Sequence, residues 1–132
     1  MPIRGVRGAI TVCDNQPQAI LDATQELLVA ILEANPDLHS EDLASAFFTL
    51  TEDLDAAYPA EAARGMGWTQ VPMLCSREIP VPGSLPGCIR VLLHWNTELP
   101  QSAIQHLYVG DAARLRPDLS PQTLSIIKEK TS

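Results

Sequence analysis

The sequence predicts an α+β fold in which helices pack on one face of a mixed β-sheet. Residues 88–95 alternate between apolar and mixed positions, as expected for a strand with one buried face. Residues 20–31 carry apolar side chains at helical spacing. Strand and helix patterns alternate along the chain before it ends in strands. With 132 residues, the chain suits one domain spanning residues 1–132.

The first two elements are a strand and an amphipathic helix. We predict the strand over residues 3–12, which are β-branched at intervals. The helix should begin with Asp14 or Asn15 as its N-cap and with Pro17 in its first turn. It should end before Asn35-Pro36, because a residue that precedes a proline disfavours helical geometry. Its apolar face consists of Ile20, Ala23, Leu27, Leu28 and Ile31.

The elements that follow are shorter. We expect, in order, a buried strand at 43–50, a helix at 59–66, a strand at 71–75, a loop at 79–83 and strands at 88–95 and 106–109. Pro72 indicates a strand at the sheet edge or a bulge, since proline cannot donate a hydrogen bond to the ladder. From about residue 118 the chain becomes a tail whose order the sequence leaves open.

The strand at 88–95 has two unlike faces. The apolar face, which should meet the helices, consists of Ile89, Val91, Leu93 and Trp95. The opposite, mixed face consists of Cys88, Arg90, Leu92 and His94. Arg90 therefore lies inside an apolar strand, where an unpaired charge would be costly. A structural ion pair with a carboxylate and a ligand-binding role explain it equally well.

Charge and composition exclude several function classes. A net charge of −7 argues against a nucleic-acid partner, because phosphate binding requires a basic surface. No apolar run is long enough to cross a bilayer, and the N-terminus lacks the apolar stretch of a secretory signal. We therefore expect a cytoplasmic protein without a membrane partner. The sequence has no G-x-G-x-x-G, P-loop or H-E-x-x-H motif, so nucleotide and metal chemistry have no support from it.

The other candidate residues are ambiguous when each is taken alone. The cysteines Cys13, Cys75 and Cys88 are widely spaced and form no C-x-x-C pair, which predicts reduced thiols. No histidine is spaced from Cys75 in a way that indicates a catalytic pair, so an inert buried thiol is the better interpretation. Glu78 in a loop is typical of a solvated surface charge. Tyr108 on its strand is typical of half-buried packing.

Taken together and in order, these residues resemble the monofunctional, Bacillus-type AroH class of chorismate mutases. The resemblance covers nearly the whole chain. The matching segments are 3–9 (I-R-G-V-R-G-A), 58–60 with Arg64, 67–68, 71–72, Cys75 with Glu78, 88–91 (C-I-R-V), 106–108 and 115–119.

The resemblance implies a trimer whose sheets form a pseudo-α/β-barrel core, with active sites at the subunit interfaces. It implies the rearrangement of chorismate to prephenate in phenylalanine and tyrosine biosynthesis, without a cofactor. This Claisen rearrangement needs no proton transfer and no covalent intermediate. The enzyme has to hold a flexible dianion in a compact conformer and stabilise charge as the ether bond breaks.

The same resemblance assigns roles to individual residues. Arg90 faces the ether oxygen and a carboxylate, and stabilises the negative charge of the transition state. Arg7 and the region of Tyr108 bind carboxylate. Glu78 and Cys75 contact the ring hydroxyl, and Glu78 also balances positive charge on the ring. Arg90, Glu78 and Arg7 are thus the expected catalytic residues.

Further residues are expected to line the mouth of the site. They are Tyr58, Arg64, Leu115 and Arg116. Two positions depart from the family pattern. Glu61 stands where relatives often carry a basic residue, and we expect it to point to solvent. Leu74 replaces a common threonine, so only a backbone contact to the substrate would survive there.

The resemblance also suggests how two subunits share one site. Arg7, Arg90 and Tyr108 would come from one subunit, and Tyr58, Arg64, Cys75 and Glu78 from its neighbour. Two other functions stay open from the sequence: a non-catalytic trimeric ligand-binding module, and a deaminase of small imines, which rests on fold analogy alone.

Overall fold

The computed structural model describes residues 1–114. Five strands and two helices follow one another as β1 (Ile3–Thr11), α1 (Pro17–Ala34), β2 (Leu43–Leu50), α2 (Ala60–Gly65), β3 (Met73–Arg77), β4 (Cys88–Asn96) and β5 (Leu107–Val109). All the predicted elements are thus present in the predicted order. Leu115, Arg116 and the tail from about residue 118 lie outside the described residues.

The five strands form one mixed sheet with the order β3-β2-β4-β1-β5. β4 is antiparallel to both β1 and β2, whereas β3 runs parallel to β2 and β5 runs parallel to β1. The edge position predicted from Pro72 is confirmed, since β3 is an outer strand. Pro72 precedes β3, and its carbonyl accepts a hydrogen bond from the Ala46 N–H at 2.9 Å.

Both helices pack on one face of the sheet, as predicted. The apolar residues of β4 that were expected to meet them are buried, from Ile89 to Trp95. They form one core with the inner side chains of α1, α2, β1 and β2. Thr24 joins the buried face of α1 because its hydroxyl donates a hydrogen bond to the Ile20 carbonyl at 2.8 Å. No helix within residues 1–114 is long and apolar enough to cross a membrane.

The start of α1 differs from the prediction. Its N-cap is Gln16, which makes no side-chain cap hydrogen bond, so the prediction of Asp14 or Asn15 is wrong. Asn15 is engaged elsewhere: its side-chain oxygen accepts hydrogen bonds from the backbone N–H groups of Asp55 and Ala56, both at 3.0 Å. Side chains that suit an N-cap also stabilise turns, and here a tertiary contact takes the capping group.

The sheet face opposite the helices, hereafter the open face, is only partly covered. A small cluster of Ala9, Cys88, Tyr108 and Ala112 closes it at one end. Elsewhere it exposes apolar side chains: Phe47 is 40% exposed, Leu92 is 37% exposed and Leu74 is 63% exposed. A contiguous apolar surface of this kind is unusual on an isolated domain and is typical of binding surfaces.

Candidate active site

Neighbouring strands bring the predicted site residues into rows on the open face. Residues paired between adjacent strands point to the same side of a sheet. One row, across β2, β4, β1 and β5, consists of Thr49, Arg90, Ala9 and Tyr108. The next row consists of Phe47, Leu92 and Arg7. Strand pairing alone therefore places Arg7 and Arg90 side by side although they are far apart in the sequence.

These rows form the floor of a cavity of about 390 Å³. Four residues predicted for the site line it: Arg7, Glu78, Arg90 and Tyr108. The other lining residues are Gly8, Phe47, Thr49, Val91 and Leu92. The residues that line this cavity include two arginines and one glutamate, so its charge is suited to an anionic molecule.

Glu78 reaches the cavity from the end of β3. Its backbone N–H donates a hydrogen bond to the Leu50 carbonyl at 2.8 Å, which extends the pairing of β3 with β2 by one residue. Its side-chain Oε2 accepts a hydrogen bond from the Thr49 hydroxyl at 2.6 Å. The same oxygen lies 3.5 Å from Arg90 Nε.

Arg90 is paired in charge but not satisfied in hydrogen bonding. Its Nε is buried and has no hydrogen-bond partner within residues 1–114. A buried donor without an acceptor costs free energy, about 1–3 kcal/mol for an ordinary group, unless a ligand supplies the acceptor. The contact with Glu78 confirms the ion pair that the sequence allowed for Arg90. The ligand-binding role stays a prediction, and the unsatisfied Nε donor is the observation that supports it.

Arg7 is fixed through its backbone and projects an exposed side chain. Its N–H donates a hydrogen bond to Nδ1 of His106 at 3.0 Å, which ties β1 to the segment before β5. Gly8, the next residue, has no room for a side chain on the helix side. A Cβ there would lie 2.9 Å from Ile31 Cδ1. Close packing of α1 against β1 thus sets the position of the strand that carries Arg7.

Neither nearby cysteine is arranged as a nucleophile. Burial raises the pKa of the Cys88 thiol, and the Arg90 guanidinium opposes this only in part, so the thiol is neutral at neutral pH. Cys75 is paired with Phe48, on the helix side of the sheet, and packs against the main core. Within residues 1–114, no three His, Cys, Asp or Glu side chains could together hold a metal ion.

The remaining predicted residues that the structure describes lie in a second depression, beside the outer strand β3. It is lined by Tyr58, Ala60, Arg64, Met73, Leu74 and Cys75. None of these residues lines the cavity of Arg90. Glu61 is exposed, as expected, and lies outside both depressions. The predicted site is therefore divided between two places on one chain.

The segment that carries Tyr58 is held by two side chains from other parts of the chain. Arg77 Nη1 donates hydrogen bonds to the carbonyls of Thr51 at 2.9 Å and Leu54 at 3.0 Å. Asn15 fixes the following two residues through the contacts described above. Tyr58 itself is 65% exposed, so its ring is offered to the surface.

One residue, Glu78, was allocated to the wrong half of the predicted shared site. Glu78 was expected beside Tyr58 and Arg64, opposite Arg90. That allocation is wrong, because Glu78 contacts Thr49 and Arg90 of its own chain. The pairing of its backbone with β2 turns it toward the cavity.

Sequence reasoning missed Thr49 and Phe47, which line the cavity from β2. Both lie on alternate positions of a strand that was expected to be buried as a whole. The outward positions of this strand, Ser45, Phe47 and Thr49, are only partly covered. The alternation was visible in the sequence, but the register that places Thr49 opposite Arg90 was not.

Comparisons with known proteins agree with one another. The family model of type I chorismate mutases matches residues 3–119. A chorismate mutase AroH of Thermus thermophilus is 57% identical over 117 residues, which are 89% of this chain and 96% of that protein. A chorismate mutase AroH of Bacillus subtilis is 43% identical over 121 residues, which are 91% of this chain and 94% of that protein.

A solved structure is also similar. It is described as a chorismate mutase from Clostridium thermocellum, with a TM-score of 0.81 and 48% sequence identity. The match covers 83% of this chain and 97% of that one.

Proposed function

The chain belongs to the type I chorismate mutase family and is a chorismate mutase, and we propose that it rearranges chorismate to prephenate in the cavity that contains Arg90. The observation that carries this placement is the buried Nε of Arg90, which has no acceptor within residues 1–114. Beside it lie the Arg7 side chain and the Glu78 carboxylate. A carboxylate group of a small dianion would satisfy the free donor and offset the net positive charge that two guanidinium groups and one carboxylate leave in the cavity.

The rearrangement requires electrostatic stabilisation and restriction of shape. As the ether bond breaks, negative charge grows on its oxygen, and the fixed guanidinium of Arg90 faces that charge. Because the donor is already desolvated, little reorganisation is needed when the charge develops. The apolar floor formed by Phe47 and Leu92 favours the compact substrate conformer by limiting the space around it.

The other polar residues bind the ends of the substrate. Arg7 and the region of Tyr108 bind a carboxylate group of the substrate. The Glu78 carboxylate accepts a hydrogen bond from the ring hydroxyl of the substrate and faces the positive charge that develops on the ring. None of these residues has to transfer a proton, so the reaction suits a cavity in which the residues described, within 1–114, include no paired nucleophile and base.

We further propose that three copies form a ring and that each active site is shared between two of them. Two features support this. The open face exposes Phe47, Leu92 and Leu74, which an adjacent copy would cover. The residues of the mouth, Tyr58 and Arg64, lie in a depression separate from the cavity of Arg90. In a closed ring with head-to-tail interfaces, the second depression of one subunit can complete the cavity of the next.

The cytoplasm is the proposed location. All three cysteines, Cys13, Cys75 and Cys88, are unpaired. Unpaired thiols are typical of proteins in reducing compartments.

The activity is tested with the purified protein and chorismate. We expect chorismate absorbance to fall and prephenate to be the product. The two rival functions predict other results. A ligand-binding module would bind chorismate without consuming it, and an imine deaminase would release ammonia from an imine while leaving chorismate intact.

A further inference from the structure

Thr49 is the polar residue of the cavity to which the proposed mechanism gives no role. It lies on β2, paired with Arg90 on β4, and its side chain faces the same cavity. Its hydroxyl donates a hydrogen bond of 2.6 Å to Oε2 of Glu78. This is a short bond from a hydroxyl to a carboxylate, of the kind that is stronger than a bond between neutral groups.

The Thr49 contact makes the two oxygens of Glu78 unequal. Oε2 is engaged by Thr49 and lies 3.5 Å from Arg90 Nε. Within residues 1–114, Oε1 accepts no hydrogen bond. The carboxylate therefore has one anchored oxygen and one oxygen left for a bound molecule.

Without the hydrogen bond from Thr49, the Glu78 carboxylate would be free to adopt a second position. Glu78 is the residue after β3, and within residues 1–114 its hydrogen bonds are the one that its backbone N–H donates to Leu50 and the one that its carboxylate accepts from the Thr49 hydroxyl. Arg90 Nε, an unsatisfied donor 3.5 Å away, would attract the carboxylate into a direct hydrogen-bonded ion pair. That pair would occupy the donor that the substrate needs.

We propose that Thr49 is a positioning residue for the rearrangement, which rests on the proposed function of the cavity. Its hydroxyl holds Glu78 so that Oε1 faces the substrate ring and Arg90 Nε stays free for the ether oxygen and carboxylate. Thr49 touches neither reacting carbon, so its effect passes through Glu78 and Arg90.

Removing the hydroxyl while keeping the shape tests this role. Thr49→Val should lower kcat/KM roughly tenfold, the scale for losing one hydrogen bond to a charged group. Most of the loss should appear in kcat, because the misplaced charges matter more in the transition state than in the bound substrate. Thr49→Ser keeps the hydroxyl and should retain activity within about twofold. Thr49→Ala repeats the test if the valine variant folds poorly.

A double-mutant cycle distinguishes positioning from a structural effect. In the Glu78→Ala background, Thr49→Val should cause little further loss, because the residue it positions is absent. Ser45→Ala is the matched control: it removes a hydroxyl from the same face of β2, outside the cavity, and should leave kcat/KM unchanged.

Each outcome has a separate meaning. Equal activity of Thr49→Val and the parent would overturn the role of Thr49, even if Glu78→Ala is nearly inactive. Additive losses in the double variant would also overturn it, because Thr49 would then act independently of Glu78. A parent protein that fails to convert chorismate would instead refute the proposed function itself.

Discussion

Arg90 shows how one residue can serve both the fold and the reaction. A guanidinium inside an apolar strand has to be paired, and Glu78 provides the opposite charge at 3.5 Å. The pairing is incomplete, because Arg90 Nε has no acceptor within residues 1–114. The sequence could predict that Arg90 is unusual, since its apolar neighbours make a charge costly there. It could not predict Thr49 as the third partner, since that contact depends on the pairing of β2 with β4.

At this scale we predict that the chemical step is nearly independent of pH between about 6 and 9. Ordinary carboxylic acids and guanidinium groups do not change protonation in that range. Burial raises the pKa of the Cys88 thiol, which favours its protonated form in this range. The measurement is the single-turnover rate constant for conversion of bound chorismate across this range. It is repeated in heavy water, where little isotope effect is expected. A bell-shaped profile would indicate general acid–base catalysis and contradict the proposed mechanism.

At the scale of elements, the sequence predicted the buried faces of strands and helices correctly. It did not predict features that depend on contacts between distant segments, such as the N-cap of α1. The alternation of β4 predicted which side meets the helices, and residues Ile89 to Trp95 of that side are buried. The capping residue of α1 was predicted wrongly because Asn15 binds the backbone of Asp55 and Ala56 instead. Strand register was likewise not predictable, because it is set by contacts between distant segments.

The packing of α1 on β1 gives a prediction about stability. In Gly8→Ala, the added carbon would lie 2.9 Å from Ile31 Cδ1 and 3.1 Å from Leu27 Cδ1. Overpacking of this kind should lower the free energy of unfolding by about 1–3 kcal/mol. Gly5→Ala is the matched control on the same strand, with its nearest contact at 3.6 Å from Leu92 Cδ1, and should change that free energy by about 0.5 kcal/mol at most. Urea unfolding measures the free energy of unfolding of both variants. If the two were equally stable, the close packing of α1 at Gly8 would not make an added side chain costly.

At the scale of the whole molecule, the separation of the two depressions predicts that a complete site needs two copies. Arg90 and Glu78 lie in one depression, and Arg64 lies in the other. We consider Arg90→Ala and Arg64→Glu, the second of which places a negative charge where the dianion enters. Each should be nearly inactive alone. Unfolded together in equal amounts and refolded, they should form mixed trimers in which about one site in four has both intact halves.

The control for this experiment uses two variants of the same half. A mixture of Arg90→Ala and Glu78→Ala should recover no activity, because the cavity of every subunit then lacks one of the two residues. Recovery near a quarter of the parent activity in the first mixture and none in the second would support a shared site. Activity in the second mixture, or none in demonstrably mixed trimers of the first, would contradict the proposed division.

The most direct test of the proposed reaction is the kcat/KM of two Arg90 variants with chorismate. Arg90→Ala should lower it by at least about 10²–10³, the scale for removing one preorganised donor from a charge that develops in the transition state. Arg90→Lys should also fail badly, because a single ammonium cannot replace the planar fork of donors. Arg4→Lys is the matched control, since Arg4 Nε binds the Leu99 carbonyl outside the cavity. We expect the control to keep the parent kcat/KM and both Arg90 variants to lose it, whereas near-parental turnover by either Arg90 variant would contradict the mechanism.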